Sequence, residues 1–325
     1  MVAKVQSMGL TGLEAFPVEV EADVAGTKYR FDMVGLPDAA VNEAKERVEA
    51  AVKNCGYAFP YGHITVNLAP ADVRKAGSVY DMPIFIALMI VSRQIKGDLT
   101  GSAFLGEISL SGDVRRVDGV LPMVIEARAA GVERIFVPAE NAKEASVVDR
   151  IQVYPVKNMR QLVAFLCGEE AEPALTPVEP FDFAAADTRA YPLDFADVKG
   201  QHNAKRALEV AAAGGHNILM SGPPGSGKSM LAKRLPGILP AMSRAEALQT
   251  TAIWSVSGLT DPGHPVVSHR PFRAPNQTAS RQALSGSSDL RPGEMSLAHN
   301  GVLFLDELPE FHRDVIDLLR QPLEE

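Results

Sequence analysis

Cysteine is scarce in this sequence: only Cys55 and Cys167 occur among 325 residues, far apart and without the spacing of metal ligands. This usage excludes a disulfide framework and favours a reducing cytoplasm. The start of the chain lacks the uninterrupted apolar core of an export signal. The longest apolar run, residues 82–92, has eleven residues and is too short to span a bilayer, so we interpret it as a buried helix. We therefore expect a cytoplasmic protein without a membrane segment.

Acidic residues outnumber basic ones, and the formal net charge is −8. The composition, 46% hydrophobic and 22% charged, is ordinary for a globular protein and argues against a disordered or fibrous one. The acidic balance also argues against a protein coated in nucleic acid. Residues 262–288, called the basic segment below, depart from this balance because they contain no carboxylate but carry two histidines and three arginines: Arg270, Arg273 and Arg281.

The chain length predicts two domains, since 325 residues exceed the usual size of one hydrophobic core. Residues 171–192 contain four prolines and lack helical or strand periodicity, so we interpret them as an exposed linker. Residues 1–170 alternate β-branched runs with amphipathic helical stretches, the pattern of an α/β domain. Residues 193–325 begin with a predicted helix, followed by a strand at 217–221, a glycine-rich loop with its helix, and a strand at 301–306.

The segment GPPGSGKS fits the phosphate-loop pattern G-x-x-x-x-G-K-[ST] at every position. Its glycines allow the backbone to curl with its amides pointing inward, where they and the following helix receive phosphate oxygens. The lysine would reach the β- and γ-phosphates of ATP, and the serine would place its hydroxyl on Mg²⁺. The alternative is a glycine-rich turn without a ligand. The candidate nucleotide-binding residues are Gly222, Pro223, Pro224, Gly225, Ser226, Gly227, Lys228 and Ser229.

Two adjacent carboxylates, Asp306 and Glu307, follow four apolar residues at the end of the last predicted strand. Carboxylates at the end of a buried strand are costly unless they face a cation or solvent, and ligands of open α/β sheets bind at that edge. We predict that Asp306 holds Mg²⁺ together with Ser229, and that Glu307 is the catalytic base that orients the attacking water. Alone, a solvated acidic turn is the simpler interpretation; together with the phosphate loop, the pair favours an ATPase.

Several long strings occur in order: VGLPDAAVNEAKERV, ITVNLAPADVRKAGSVYDMPIFIALM, DFADVKGQHNAKRALEVAAAGGHNILMSGPPGSGKSMLAKRLPGILP and RPGEMSLAHNGVLFLDELPEF. Through them, essentially the whole chain resembles the magnesium-chelatase-like AAA+ ATPases of the ComM/YifB type. The resemblance implies a hexameric, ATP- and Mg²⁺-dependent ATPase, with members implicated in DNA branch migration during recombination and natural transformation. Distant relatives insert magnesium into porphyrins.

The resemblance also implies a Lon-protease-like fold, of the ribosomal S5 domain 2 type, for residues 1–170, followed by a P-loop AAA+ α/β domain. A Lon-like enzyme needs a serine nucleophile and a lysine. Val79 and Leu121 stand at the approximate positions of these two residues, and neither side chain can act as a nucleophile. We interpret the neighbouring Ser78 as a helix cap. The first domain is therefore expected to be a non-catalytic interaction or assembly domain.

Lys228 and Asp306 are separated by 78 residues, more than a strand, a helix and a strand require. This spacing predicts an inserted hairpin or loop that contains the basic segment. In a ring, the insert could face the central pore, where Arg270, Arg273 and Arg281 would hold DNA phosphates without reading bases. The alternative is that these arginines bind a neighbouring subunit or are solvated. The family usually has two histidines where Asn276 and Gln277 stand, which puts any role of those histidines in doubt here.

The family's core is expected to continue with a sensor strand, an arginine finger and a helical lid, none of which follows residue 325. We therefore expect a fragment that neither hydrolyses ATP appreciably nor forms a stable hexamer. The sensor strand would lie between the strands at 217–221 and 301–306, so its absence would leave unpaired strand edges. Three functions stay open: a DNA-acting ring motor, a metal-chelatase-like or protein-remodelling ATPase, and a nucleotide-binding assembly module.

Overall fold

The computed structural model describes residues 2–183 and 191–324, and it divides the chain into two compact units. The first unit consists of Met1–Asp182 and Gly258–Pro265, and the second of Phe183–Ser257 and Val266–Glu325. The break after Asp182 falls inside the predicted linker, of which residues 184–190 lie outside the described residues. The grouping of Gly258–Pro265 with the first unit differs from the sequence-based boundary, which had assigned all of 193–325 to the second domain.

The first unit contains nine strands and six α-helices in its described part. The strands are β1 Ala3–Thr11, β2 Glu14–Ala25, β3 Arg30–Val34, β4 His63–Ala69, β5 Ser102–Phe104, β6 Glu107–Ile108, β7 Val114–Arg115, β8 Arg134–Pro138 and β9 Gln152–Val156. The helices are α1 Ala39–Asn42, α2 Ala44–Asn54, α3 Asp81–Val91, α4 Val120–Ala129, α5 Ala142–Ala145 and α6 Met159–Leu166.

Seven of these strands form one sheet in the order β3-β4-β2-β1-β5-β8-β9, while β6 and β7 pair separately and antiparallel. The β1–β2 and β2–β4 pairings are antiparallel, and the other four are parallel. Helices α3 and α4 contact β1 and β2. The predicted α/β fold class is therefore confirmed.

The apolar run that the sequence assigned to a buried helix is α3, and its residues from Asp81 to Met89 are all buried. A helix that is apolar on every side is stable only where other elements cover it, as this one is. Among residues 2–183 and 191–324, no helix has the length and apolar character needed to cross a bilayer.

The approximate positions of the Lon-like serine nucleophile and lysine are filled by core residues. Val79 is 8% exposed and Leu121 is fully buried. The interpretation of Ser78 as a helix cap is wrong: Tyr80 is the N-cap of α3 without a side-chain cap bond, and the Ser78 hydroxyl donates to the Glu107 carboxylate instead. A hydroxyl beside an anionic acceptor makes a stronger hydrogen bond there than it would with a backbone amide.

The second unit is built from short elements. Its helices are α7 His202–Gly214, α8 Lys228–Ala232, α9 Arg244–Val256, α10 Arg281–Ser285, α11 Glu294–Leu297, α12 Arg313–Asp317 and α13 Arg320–Glu324. Its strands are β10 Phe272–Arg273 and β11 Val302–Leu303, which pair in parallel. Two small apolar clusters support these elements, one around Val198, Leu208 and Leu231 and the other around Leu284, Phe311 and Val315.

The predicted strand at 217–221 is absent, since these residues adopt no regular secondary structure. Leu219 is 81% exposed and Ile218 is 38% exposed, although both belong to an apolar run that would be buried in a central strand. A strand requires a neighbour that accepts and donates its backbone hydrogen bonds. In the described part of the second unit, the β10–β11 pair does not extend to residues 217–221, so the apolar pattern alone does not produce a strand.

Candidate nucleotide and metal site

The phosphate loop, residues 222–229, curls because two of its glycines adopt backbone angles that other residues avoid. Gly225 has φ 77° and Gly227 has φ 89°, both in the left-handed region. A Cβ on Gly222 would stand 3.0 Å from the Ser226 hydroxyl oxygen, so a larger residue there would crowd the curl. The Gln201 side-chain amide donates to the Ser226 carbonyl at 3.2 Å, a contact that the sequence did not suggest.

The Lys228 ammonium lies against the loop itself. Its Nζ donates to the carbonyl oxygens of Gly222 at 2.9 Å and of Pro223 at 3.2 Å. An ammonium group has three donors, so it can bind phosphate oxygens by exchanging or adding acceptors without leaving the loop. The ammonium therefore lies beside the loop where the sequence predicts that phosphates bind.

Ser229 and Asp306, the two predicted metal ligands, meet directly. The Ser229 hydroxyl donates to Asp306 Oδ2 at 2.8 Å across 77 positions of sequence, and both side chains are half-buried. A hydroxyl and a carboxylate are ligands that Mg²⁺ accepts, with phosphate oxygens and water completing its octahedron. The described residues hold no cluster of three or more histidines, cysteines and carboxylates. The Ser229 hydroxyl and the Asp306 carboxylate supply two oxygen donors, which fits Mg²⁺ bound together with a nucleotide.

Glu307, the predicted catalytic base, is exposed and has a left-handed backbone with φ 54°. Its Oε2 accepts a hydrogen bond from Gln277 Nε2 at 2.7 Å. The sequence had marked Gln277 only as a departure from a histidine pair, and nothing in the sequence signalled this contact across 30 positions. The adjacent Asn276 instead closes a local turn, where its side-chain oxygen accepts from the amide and hydroxyl of Thr278 at 3.0 Å.

Arg270 and Arg273 are both paired with carboxylates, and their role as DNA contacts stays a prediction. Arg273 forms a bidentate pair with Glu294 at 2.6 and 2.7 Å, and Arg270 bonds to Glu246 at 3.1 Å and to two backbone carbonyls. The basic segment itself contains no carboxylate; its two partners come from the chain before it, Glu246, and after it, Glu294. Arg281 differs: it is exposed at the start of α10 and forms no ion pair with any residue in the described ranges.

Two protein families match different parts of this chain. The family "Magnesium chelatase, subunit ChlI" matches residues 194–325, and "Subunit ChlI of Mg-chelatase" matches residues 20–141. A part of the chain is also similar to Lon protease 2 of Syntrophobacter fumaroxidans, with 33% identity over 91 residues, 28% of this chain and 11% of that protein. The Lon-like part of the resemblance is therefore supported by a match outside the chelatase family.

Two relatives match almost the whole chain. Competence protein ComM of Haemophilus influenzae is 43% identical over 327 residues, covering 99% of this chain and 63% of ComM. YifB of Salmonella typhimurium is 43% identical over 325 residues, covering 99% of this chain and 62% of YifB. This chain thus spans less than two thirds of the length of either relative. The resemblance drawn from the sequence strings is confirmed, and the chain belongs to the magnesium-chelatase-like ATPase family that includes ComM and YifB.

Proposed function

We propose that this chain binds ATP with Mg²⁺ and forms the nucleotide-binding part of an AAA+ ATPase ring that acts on DNA. The observation that carries the nucleotide proposal is the 2.8 Å contact between Ser229 and Asp306. It joins the last residue of the phosphate loop to a carboxylate 77 positions later, in the turn that follows β11. Two oxygens placed side by side next to a phosphate-binding loop are what a Mg²⁺–ATP complex needs.

Each residue of the site has a distinct task in this proposal. The loop amides of residues 222–229 and the Lys228 ammonium would hold the phosphates, and Ser229 and Asp306 would hold the Mg²⁺ that offsets the phosphate charge. Glu307 accepts a proton from the water that attacks the γ-phosphate, or orients that water, on the side opposite the leaving ADP. Gln277 positions the Glu307 carboxylate through its hydrogen bond.

Binding is tested with the 325-residue chain by titrating ATP in a calorimeter, with Mg²⁺ and with EDTA. Lys228→Ala should weaken ATP binding about 10- to 100-fold, the equivalent of losing one charge-assisted contact to a phosphate. Lys233→Ala is the matched control, because Lys233 is an exposed lysine at the C-cap of the same helix, α8. Unchanged affinity in Lys228→Ala would show that residues 222–229 are not the phosphate site.

The same titration tests whether Ser229 and Asp306 hold Mg²⁺. Ser229→Ala and Asp306→Asn should raise the Mg²⁺ concentration needed for half-maximal ATP affinity, yet change the affinity in EDTA little. If each variant lowered the ATP affinity equally with Mg²⁺ and with EDTA, the two residues would support the loop and not hold the metal.

Hydrolysis is tested in a hybrid protein in which this chain is continued by the remaining part of Haemophilus influenzae ComM. The unmodified hybrid should release phosphate, whereas Glu307→Gln should keep ATP and lose turnover by orders of magnitude. Gln277→Leu should reduce turnover about tenfold with ATP affinity unchanged, since it alters only the orientation of the base. The 325-residue chain alone should bind ATP without sustained turnover, because residues 217–221 are not held in a sheet. Turnover by the chain alone would refute that expectation.

The DNA part of the proposal is supported by the relative called a competence protein and by the exposed Arg281. Arg281→Ala in the hybrid should weaken binding of single-stranded DNA and lower the salt dependence by about 0.7 in the log–log slope, the value for one phosphate contact. Arg313→Ala, an exposed arginine outside the basic segment, is the control. If DNA neither binds nor stimulates hydrolysis, a metal-chelatase-like or protein-remodelling ATPase becomes the better proposal.

A further inference from the structure

Residues Gly258–Pro265, called the strap below, belong to the first unit although the chain on both sides belongs to the second. The strap holds to its unit mainly through Thr260, which is 9% exposed. One nitrogen of Arg116, Nη2, donates to the Thr260 carbonyl at 2.9 Å and to its hydroxyl at 2.8 Å. The threonine is therefore recognised at both its backbone and its side chain.

The other side of Thr260 faces a buried polar pocket built by Asn141 and Glu144, which are 1% and 5% exposed. The Asn141 amide bonds to the backbone of Val117 in both directions, at 3.0 and 2.9 Å. The Glu144 carboxylate accepts from the Leu121 amide, from Asn141 Nδ2 and from the Thr260 hydroxyl, each at 3.3 Å. A buried carboxylate needs such donors, so loss of the strap would leave one acceptor position of Glu144 unfilled.

The strap has a defined shape of its own. Asp261 closes a turn by accepting from the Gly263 amide at 2.9 Å and bonding His264 Nδ1 at 2.8 Å, while its carbonyl accepts from the His264 amide at 3.0 Å. Gly258 opens the strap with φ 68°, and a Cβ there would come within 2.9 Å of the Asp118 carboxylate. Shape and polar pairing together distinguish this segment from a loop that merely lies on a surface.

The chain that follows the strap leads to the candidate nucleotide site. Helix α9 ends at Val256, two residues before it, and β10 begins at Phe272, seven residues after it. Beyond β10 the chain reaches Gln277, which binds the Glu307 carboxylate. The strap is thus a fixed point in the stretch of chain between α9 and the residue that positions the predicted base.

We propose that the strap is a docking element: the first unit binds it through Arg116 and Glu144 and thereby restrains residues 266–277. Residues 262–265, the start of the basic segment, therefore belong to an intramolecular contact and do not bind DNA. The restraint is mechanical and does not depend on nucleotide, so its test is independent of the proposed ATP binding.

The test is hydrogen–deuterium exchange of the whole chain, read by mass spectrometry. Thr260→Val removes the hydroxyl, Arg116→Met removes both hydrogen bonds from Nη2, and Thr260→Ser keeps the polar pairing. In Thr260→Val and Arg116→Met, peptides covering 258–265 and 266–277 should both exchange about tenfold faster or more, as expected when docking bonds are lost. Thr260→Ser should exchange like the parent, and Arg115→Met, which changes the adjacent and more exposed arginine, is the matched control.

Exchange in β5 and β8 reports whether the first unit stays folded in each variant. If one variant unfolds the unit, the other one provides the comparison. The proposal is overturned if the strap in the parent chain already exchanges like an unstructured peptide, or if neither variant accelerates it. It is equally overturned if 258–265 is released while 266–277 keeps its protection, because the strap would then restrain nothing beyond itself.

Discussion

Replacing Arg273 with methionine separates a structural role of the basic segment from a DNA-binding one. Arg273 donates two hydrogen bonds of 2.6 and 2.7 Å to Glu294, and this contact raises the pKa of the guanidinium. The two side chains are 29% and 23% exposed, so solvent screens the pair only in part. Methionine would leave the Glu294 carboxylate half-buried without a partner, at a cost of about 1–3 kcal/mol.

The assay uses the only tryptophan of the chain, Trp254. It lies in α9 and donates from Nε1 to the Leu297 carbonyl at 3.2 Å, so its fluorescence reports unfolding of the second unit. With a urea m-value of about 2 kcal/mol/M, the expected loss lowers the midpoint by about 0.5–1.5 M. Arg281→Met should leave the midpoint unchanged, and the swapped pair Arg273→Glu with Glu294→Arg should recover part of the loss. A normal midpoint in Arg273→Met combined with weakened DNA binding would refute the structural assignment.

Three further predictions concern other parts of the chain. Hydrogen bonds from the Ser243 amide and hydroxyl, and then from Arg270, lower the pKa of Glu246. The contribution of Glu246 to stability is therefore present above the ordinary carboxylate pKa of about 4.3 and is lost as the pH falls through the lowered pKa. Glu246→Gln should accordingly weaken the fall of the urea midpoint at acid pH, measured by fluorescence. Arg47→Met should lower the free energy of unfolding by about 3–5 kcal/mol, because it leaves the fully buried carboxylate of Asp81 without its cation. Adding Asp81→Leu should recover most of that loss in urea unfolding followed by circular dichroism. A double variant that recovers no stability would contradict this. Leu219→Ser should change stability by less than about 0.5 kcal/mol, because that side chain is 81% exposed; a larger loss would indicate a buried strand.

The parts of the fold that the sequence predicted are those whose signal lies within a few neighbouring residues. Helix α3 follows from an uninterrupted apolar run, and the phosphate loop from eight consecutive residues. The proximity of Ser229 and Asp306 was also anticipated, from the rule that ligands of open α/β sheets bind at the ends of strands. The structure brings the two side chains together without a strand at 217–221. Their roles in binding metal and nucleotide stay predictions.

What the sequence missed depends on partners that are distant along the chain. Charge counting over 262–288 found no carboxylate, yet Arg273 is neutralised by Glu294, 21 positions away. The strap could not be foreseen, because neither Thr260 nor Arg116 has a local pattern that marks it. The strand at 217–221 was predicted from apolar residues alone, whereas a strand also requires a hydrogen-bonding neighbour, which pattern analysis cannot supply.

The strand order of the first unit has a consequence for how this unit can form during synthesis. The earliest strands, β1 and β2, are sequence neighbours that pair along their full length from Ala3↔Ala22 to Thr11↔Glu14, and they lie inside the sheet. Later strands add outward: β4 joins β2 on one side, and β5, β8 and β9 follow one another on the other. The sheet can therefore grow almost in the order in which the ribosome delivers it, with a short loop closure at the first step. The exception is β3, which precedes β4 in the chain but pairs only with β4 and must wait for it.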